Sequence, residues 1–360
     1  MIADLILKIS FLFNYILPNS FIGNYGRNIY YFNKGIYNLI LIIFTFFLLK
    51  NNQFNLKKRE VFLIIFIFFR VVVIKDIQSI ALLSLILIDR IEFDKKINKK
   101  IIWICIFFSF LYSIYFFKFH ERPISTSIGE KNISGFYLFI LYLLCQKFNF
   151  RVLTLVTLFM GIFTFSRNFL LAIIVQILVN KFKFLQNIIE KIKLNKFLPI
   201  AVLTFILMYS LGIGFEKYVN SYGVNPYAKG FSRYVTLVDN SNLYRFQANN
   251  NVIKLYIYNP RKLLSGITIP DFKNELKNNL IKYNIENPME PHNFFYKYLL
   301  KYGIFSFFLF YYISKILETI SRENLGVFYG FYVYSIFLGV GFYDFYLLML
   351  KYIIGENYED

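Results

Sequence analysis

The sequence is built from apolar blocks of roughly 14 to 25 residues, separated by short connections that carry most of its charge. A helix needs about 20 residues to cross roughly 30 Å of hydrocarbon, and a chain inside that layer must close its own backbone hydrogen bonds. The blocks fall at about 3–17, 29–49, 61–74, 76–88, 101–117, 133–146, 152–165, 167–180, 197–214 and 293–313. A last apolar stretch at 326–354 reads as one long helix or two short ones. Period-two alternation, the mark of outer-membrane barrel strands, is missing. With 57% hydrophobic and 21% aromatic residues, the composition lies outside that of soluble domains. The expected fold is all-α: a polytopic membrane helical bundle of about 11–12 transmembrane helices, with one long external loop containing amphipathic helices.

The net charge of +19 would raise the question of nucleic acid in a soluble protein. Here it is the excess of Lys and Arg that cytoplasmic loops carry, and no nucleic-acid-reading signature stands beside it. With the N-terminus in the cytoplasm, the inside loops hold 18 Lys and Arg against 6 in the short loops opposite. That bias orients the chain in the cytoplasmic membrane and places 215–291 outside. Three regions follow: transmembrane helices over 1–214, the external loop over 215–291, and C-terminal transmembrane helices over 292–360. The N-terminal stretch carries Lys8 in its middle and no small-residue cleavage site, which reads as a first transmembrane helix.

The external segment has its own helical pattern. Leu243, Phe246, Val252, Ile253 and Ile257 fall near one helical face, with Asp239 or Ser241 as cap and Pro260 as stop. A second set, Phe272, Leu276, Leu280 and Tyr283, follows. Cys105 and Cys145 sit inside apolar blocks without metal-ligand spacing and read as packing residues.

No GxxxxGK[ST] loop and no Asp-x-Asp pair occurs, so a nucleotide-driven pump and a metal-dependent sugar-nucleotide transferase are disfavoured, and no cofactor or metal is expected. Several cations instead converge on the outer face: Arg70 near the external end of a span, Arg167 at a hairpin, Arg245 on the first loop helix and His292 at a span mouth. An arginine within a span is costly and usually partnered, which makes Arg70 a substrate-binding candidate, with snorkelling to headgroups as the alternative. Ser166 stands at the N-cap of the helix that Arg167 opens. Helix N–H groups and a guanidinium together make a phosphate seat, or, on the other reading, an interfacial arginine on lipid phosphate. His292 follows Pro291 at a helix start, where the dipole disfavours the imidazolium and a neutral ring can accept a proton from a hydroxyl; on the other reading it is an interfacial residue at a span mouth.

The ordered set of segments resembles the bacterial O-antigen ligase and polysaccharide polymerase family. "KNISGFYLFILYLL" is similar to that family's Asn-x-x-Gly span start, and "TFSRNFLLAIIVQIL" to its Thr-x-Ser-Arg hairpin. "NLYRFQANNNVIKLYIYNPRKLLSGIT" resembles the external arginine helix with its Pro and Gly turn, and "PHNFFYKYLLKYGIFSFFLF" the His-Asn signature. The likeness runs over about 125–313. It departs from the family pattern at Ser306, where a second glycine is usual, and in lacking the loop tryptophan.

The resemblance implies a metal-independent membrane glycosyltransferase acting outside the cytoplasmic membrane on a polyprenyl-diphosphate-linked saccharide. His292 falls on the family's essential histidine, and Arg167 and Arg245 on arginines that engage the diphosphate. Asn293 would orient His292 or touch sugar, and Asn132 and Ser166 complete the substrate-binding set. Membrane lipids and other polysaccharide assembly proteins are the implied partners, with no nucleic acid. A repeat-unit polymerase of O-antigen or capsule is the first reading. An O-antigen ligase, passing the polymer to lipid A core or protein, is the second, and a flippase for the lipid-linked oligosaccharide the third.

Overall fold

The computed structural model describes residues 2–19, 23–52, 54–93, 96–120, 125–194, 196–223, 240–283, 285, 288–318, 320–338 and 344–355. These residues are mostly helical, with no strand among them, and the fold is the expected all-α polytopic bundle. The chain forms two compact units, the first from residues 1–176 and 343–360, the second from 177–342.

The first unit contains α1 (Ile2–Phe11), continued by a π-helical turn at Leu12–Ile16, then α2 (Gly23–Asn51) and α3 (Lys58–Val72). A 3-10 stretch at Ile77–Leu83 leads into α4 (Ser84–Arg90), followed by α5 (Lys99–His120), α6 (Lys131–Lys147), α7 (Arg151–Ile162) and the first part of α8 (Arg167–Lys181). The late helix that joins this unit is the last one, Asp344–Ile354. At the centre stands α6, where every residue from Ser134 to Cys145 is buried. Such all-round burial explains why its sequence shows no polar face. Tyr15 donates to the Tyr137 carbonyl at 2.8 Å, and Lys147 Nζ reaches the Ile353 carbonyl at 2.5 Å, so both ends of α6 are tied to neighbours. Both cysteines are buried and free, as packing residues should be.

The α3–α4 hairpin is clamped at both ends. Arg59 Nη2 meets both oxygens of Asp89 at 2.8 Å, and Arg90 Nε donates to Glu60 at 2.6 Å. At the opposite end Arg70 Nη2 donates to Asp76 at 2.7 Å, and the Ser79 hydroxyl donates to the same carboxylate at 2.6 Å.

In the second unit, α9 (Lys183–Lys191) and α10 (Phe197–Tyr222) precede α11 (Asn240–Tyr258), α12 (Arg261–Ser265), α13 (Ile269–Asn278) and α14 (Leu280–Tyr283). A broken helix follows, α15 (Phe294–Tyr302), a 3-10 turn at Gly303–Phe305 and α16 (Ser306–Leu317), and then α17 (Leu325–Leu338). The last helix of the first unit is thus α18 (Asp344–Ile354), and the apolar stretch at 326–354 holds two helices, not one.

Four described helical runs are long and apolar enough to cross a membrane unaided: Arg27–Asn51, Lys99–Phe119, Phe197–Tyr222 and Phe294–Leu317. A fifth is allowed if the bent pair α8–α9 counts as one span. The remaining expected blocks fold as shorter helices. At 76–88 the apolar run divides into a 3-10 stretch and the seven-residue α4, because Asp76 turns back to bind Arg70.

Both loop patterns expected within 215–291 form helices. Thr268 caps α13 by accepting from the Asp271 N–H, with Pro270 in the first turn, and Phe272, Leu276 and Tyr283 are buried. On α11 the expected face holds for Val252, which is buried, and for Phe246 and Ile253, which pack on the same core. Ile257, however, is 67% exposed, and Leu255, Tyr256 and the polar run Asn249–Asn251 are buried as well. The cap residue Asp239 lies outside the described residues.

Candidate functional site

The site residues expected from sequence fall into two groups, each described within its own unit. In the first, the hairpin between α7 and α8 is a tight polar turn. Thr164 Oγ1 donates to the Gly161 carbonyl at 2.7 Å and accepts from the Ser166 N–H at 3.2 Å, and Phe165 adopts φ +52°. The Ser166 carbonyl then accepts from Phe169 N–H at 3.1 Å, which places Ser166 at the N-cap as expected. Its hydroxyl, however, donates to Asn132 Oδ1 at 3.3 Å, on the first turn of α6.

Glycine makes this approach possible. A Cβ on Gly135 would lie 2.9 Å from Ser166 Cβ, and one on Gly161 would enter the Phe169 ring. Asn132 is held in turn, its Nδ2 donating to Glu130 at 3.1 Å while Glu130 caps α6 through the Ile133 N–H. Arg167, half-buried, is thus presented at a helix start whose neighbours are fixed by hydrogen bonds. Asn168 beside it was not singled out from sequence. It is buried, and its Nδ2 has no partner among the described residues. An asparagine next to the hairpin arginine was the available signal.

Arg70, expected near the outer end of a span and as an arginine that usually has a partner, is fully buried and directs Nη2 to Asp76.

In the second unit, His292 stands one residue before the cap of α15. Asn293 Oδ1 accepts from the N–H groups of Phe295 at 2.9 Å and Tyr296 at 3.3 Å. That leaves Asn293 Nδ2 fully buried and without a partner among the described residues, a donor fixed in place beside His292. Burial of the His292 ring is the largest cause lowering its pKa, from 6.5 to about 4, with the positive charge of Arg245 second. Glu290 acts against this, while Lys297 and Lys273 act with it. The ring is therefore neutral at physiological pH, though for reasons other than the helix dipole invoked from sequence.

Arg245 lies one turn ahead of Asn249 on α11, so the two share a helical face. Asn249 and Asn250 are buried, each with an Oδ1 lacking a partner among the described residues, and Asn250 Nδ2 donates to Glu216 at 3.2 Å. They were not singled out from sequence; their place between the apolar positions Phe246 and Val252 was the available signal.

Two glycines lock α12 to α15. Gly266 has φ +69° and Gly303 φ +58°, conformations that disfavour side chains. The Ile267 N–H donates to the Leu300 carbonyl at 2.9 Å, and the Tyr256 hydroxyl donates to Leu299 at 2.7 Å. The helix bearing Arg245 and the helix following His292 are joined by these bonds. Glu275 binds Lys262 at 2.8 Å, accepts from the Tyr283 hydroxyl at 2.6 Å and from Asn259 at 3.1 Å, tying α12, α13 and α14 together. The Lys262 and Tyr283 contacts hold its carboxyl below the usual range.

These helices and their apolar lengths define a multi-pass membrane protein. Residues 152–311 match the family model described as O-Antigen ligase, in agreement with the family to which the ordered motifs pointed. The matched stretch runs from α7 into α16 and contains Ser166, Arg167, Arg245, His292 and Asn293, whereas Arg70 and Asn132 precede it. Neither a curated protein nor a solved structure matches the chain.

Proposed function

We propose that the protein is a repeat-unit polymerase for a surface polysaccharide, transferring glycan from a polyprenyl-diphosphate-linked donor to a lipid-linked acceptor on the outer face of the cytoplasmic membrane. The observation that carries this reading is the neutral, half-buried His292 with Arg245 as its strongest charged neighbour, inside the stretch that matches O-Antigen ligase. A neutral imidazole is the form that accepts a proton.

In the proposed step the acceptor hydroxyl oxygen forms a bond to the anomeric carbon as that carbon's bond to the phosphate oxygen breaks. His292 takes the hydroxyl proton, and the electron pair leaves with the diphosphate. Arg167 and Arg245 meet the charge that grows there, where guanidinium groups bind phosphate oxygens in pairs. Ser166 and Asn132 hold the Arg167 turn, and Asn293 Nδ2 offers a donor to sugar. The breaking sugar–phosphate bond drives transfer, so the step uses no nucleotide and no metal.

An apolar groove lined by Trp103, Phe107, Phe110, Leu155, Phe159 and Ile162 supports a lipid-linked substrate. It ends on α7 just ahead of the Arg167 hairpin, where an isoprenoid tail behind a seated diphosphate has apolar surface to follow.

Transfer of finished polymer to lipid A core or protein is the second reading, favoured by the description of the matched family. His292→Ala and Arg167→Ala variants in a strain deleted for the gene, with surface glycan length read on a gel, separate the two. A ladder reduced to one repeat unit supports polymerase. Loss of all surface glycan with lipid-linked polymer accumulating means ligase. An unchanged ladder overturns both assignments.

A further inference from the structure

Within the first unit, the π-helical turn, the first half of α2, the first half of α6 and the start of α18 line a small, partly open cleft of about 40 Å³. Its walls are unusual for a membrane protein. Amides come from Asn14, Asn33 and Asn38, and phenols from Tyr30, Tyr37 and Tyr137. Among the described residues its ionic groups are Lys34 and Asp344, one of each sign.

Polar groups inside a membrane bundle are costly and mark function by default. The lining is also prearranged. Tyr137 donates to Asn14 Oδ1 at 2.9 Å, Asn33 Nδ2 bonds the Pro18 carbonyl at 2.7 Å, and the Ser84 hydroxyl donates to Asp344 at 3.0 Å. Asn38 Oδ1 is buried and has no partner among the described residues, an acceptor waiting for a donor.

We propose that this cleft is a saccharide-binding site, taking the hydroxyl-bearing edge of one sugar of the glycan substrate at a distance from the reacting bond. Asn38 Oδ1 offers a fixed acceptor to a sugar hydroxyl, and the rings supply flat apolar surface for the sugar's C–H faces. A phosphate-bearing headgroup would call for clustered cations, and Lys34 is offset by Asp344.

The place of the cleft agrees with its role. Asn132, which receives Ser166, and Tyr137, which lines the cleft, both belong to the first half of α6. Five residues of helix separate them by about 7.5 Å along the axis, and they face different sides. A single ring held at Arg167 does not reach around α6, whereas a saccharide of several rings does. Binding energy gathered there from remote sugars holds the reacting ring in place and selects one repeat unit over another.

The identification of the ligand as glycan substrate rests on the function proposed above, and the experiment keeps the two apart. Full-length protein is purified in detergent, and the oligosaccharide released by mild acid from the host's own lipid-linked repeat units is the probe, followed by saturation-transfer NMR. Binding is expected to the wild type and to His292→Ala alike, and to weaken at least tenfold in Asn38→Ala and in Asn33→Ala, both read on protein eluting as a single peak. Undiminished binding in those two variants overturns the proposal. Displacement of the probe by phosphatidylglycerol vesicles, but not by excess unlabelled oligosaccharide, also overturns it in favour of a lipid headgroup. A glycan ladder that survives His292→Ala would sink the catalytic reading and leave the binding result standing.

Discussion

Gly266 and Gly303 meet backbone to backbone: a Cβ on Gly266 would lie 2.2 Å from the Lys301 carbonyl oxygen, and one on Gly303 would lie 2.1 Å from that of Leu263 and 2.8 Å from the Gly266 nitrogen. Each comes from a different motif, one closing the arginine helix and the other following His292. Their contact is what turns two distant sequence segments into one rigid support.

Gly303→Ala therefore carries two penalties, an extended backbone at positive φ that costs a side chain about 1–3 kcal/mol and a collision with backbone that cannot swing aside. The expected result is a lower unfolding temperature in detergent and at least a tenfold loss of transfer, with Gly266→Ala behaving alike. Wild-type values for both variants would show that the turn is not needed.

With the His292 pKa near 4, the base is neutral from alkaline pH down to about 5, and transfer should stay level over that range before falling as the ring takes a proton. Arg245 lowers that pKa, so Arg245→Gln should raise it and move the acid limb to higher pH, in addition to slowing the reaction. A pH profile of in vitro transfer checks both. An acid limb that stays in place would mean that the group titrating is not His292.

Gly135→Ala pushes a methyl group against Ser166, whose Cβ lies 2.9 Å from the new atom, and displaces the Arg167 turn. Ser166→Gly removes the obstacle. Paired in a double-mutant cycle, the two should show a favourable coupling of about 0.5–3 kcal/mol in transfer rate, as expected for contacting residues. Simple additivity would mean that the hairpin yields without cost.

Asp76→Ala leaves the fully buried Arg70 without its carboxylate and should destabilise the protein by about 3–5 kcal/mol, whereas Arg70→Met with Asp76→Leu should come near wild type. Thermal unfolding of the purified proteins measures the difference. If the double variant folds but loses transfer, the pair has a role in the reaction after all.

Hydropathy carried the helical class and the placement of most helices, because apolar length is a property of each segment by itself, but it left the division of the last apolar stretch open. Motif order pointed to Arg167, Arg245 and His292, which all fall within the stretch that matches the family model. What escaped was pairwise. Nothing local says that Asp76 folds back on Arg70, since either could equally face water or lipid. The face of α11 was misjudged at Ile257 because the buried stripe includes Asn249, Asn250 and Asn251, and polar side chains enter a core only when other segments supply their surroundings. Asn168 and Asn38 escaped for the same reason: an amide becomes informative only once its partners, or their absence among the described residues, are on view.

The pairing of Arg70 with a carboxylate six residues later bears on how the chain enters the bilayer during synthesis. A lone arginine raises the cost of inserting a helix by about 2.5–3.5 kcal/mol at its centre. Because Asp76 leaves the ribosome immediately behind Arg70, the charge can be neutralised within the nascent hairpin, before any other helix is available. The first hairpin with a buried cation thus brings its own counter-ion to the translocon, and its integration does not have to wait for the bundle.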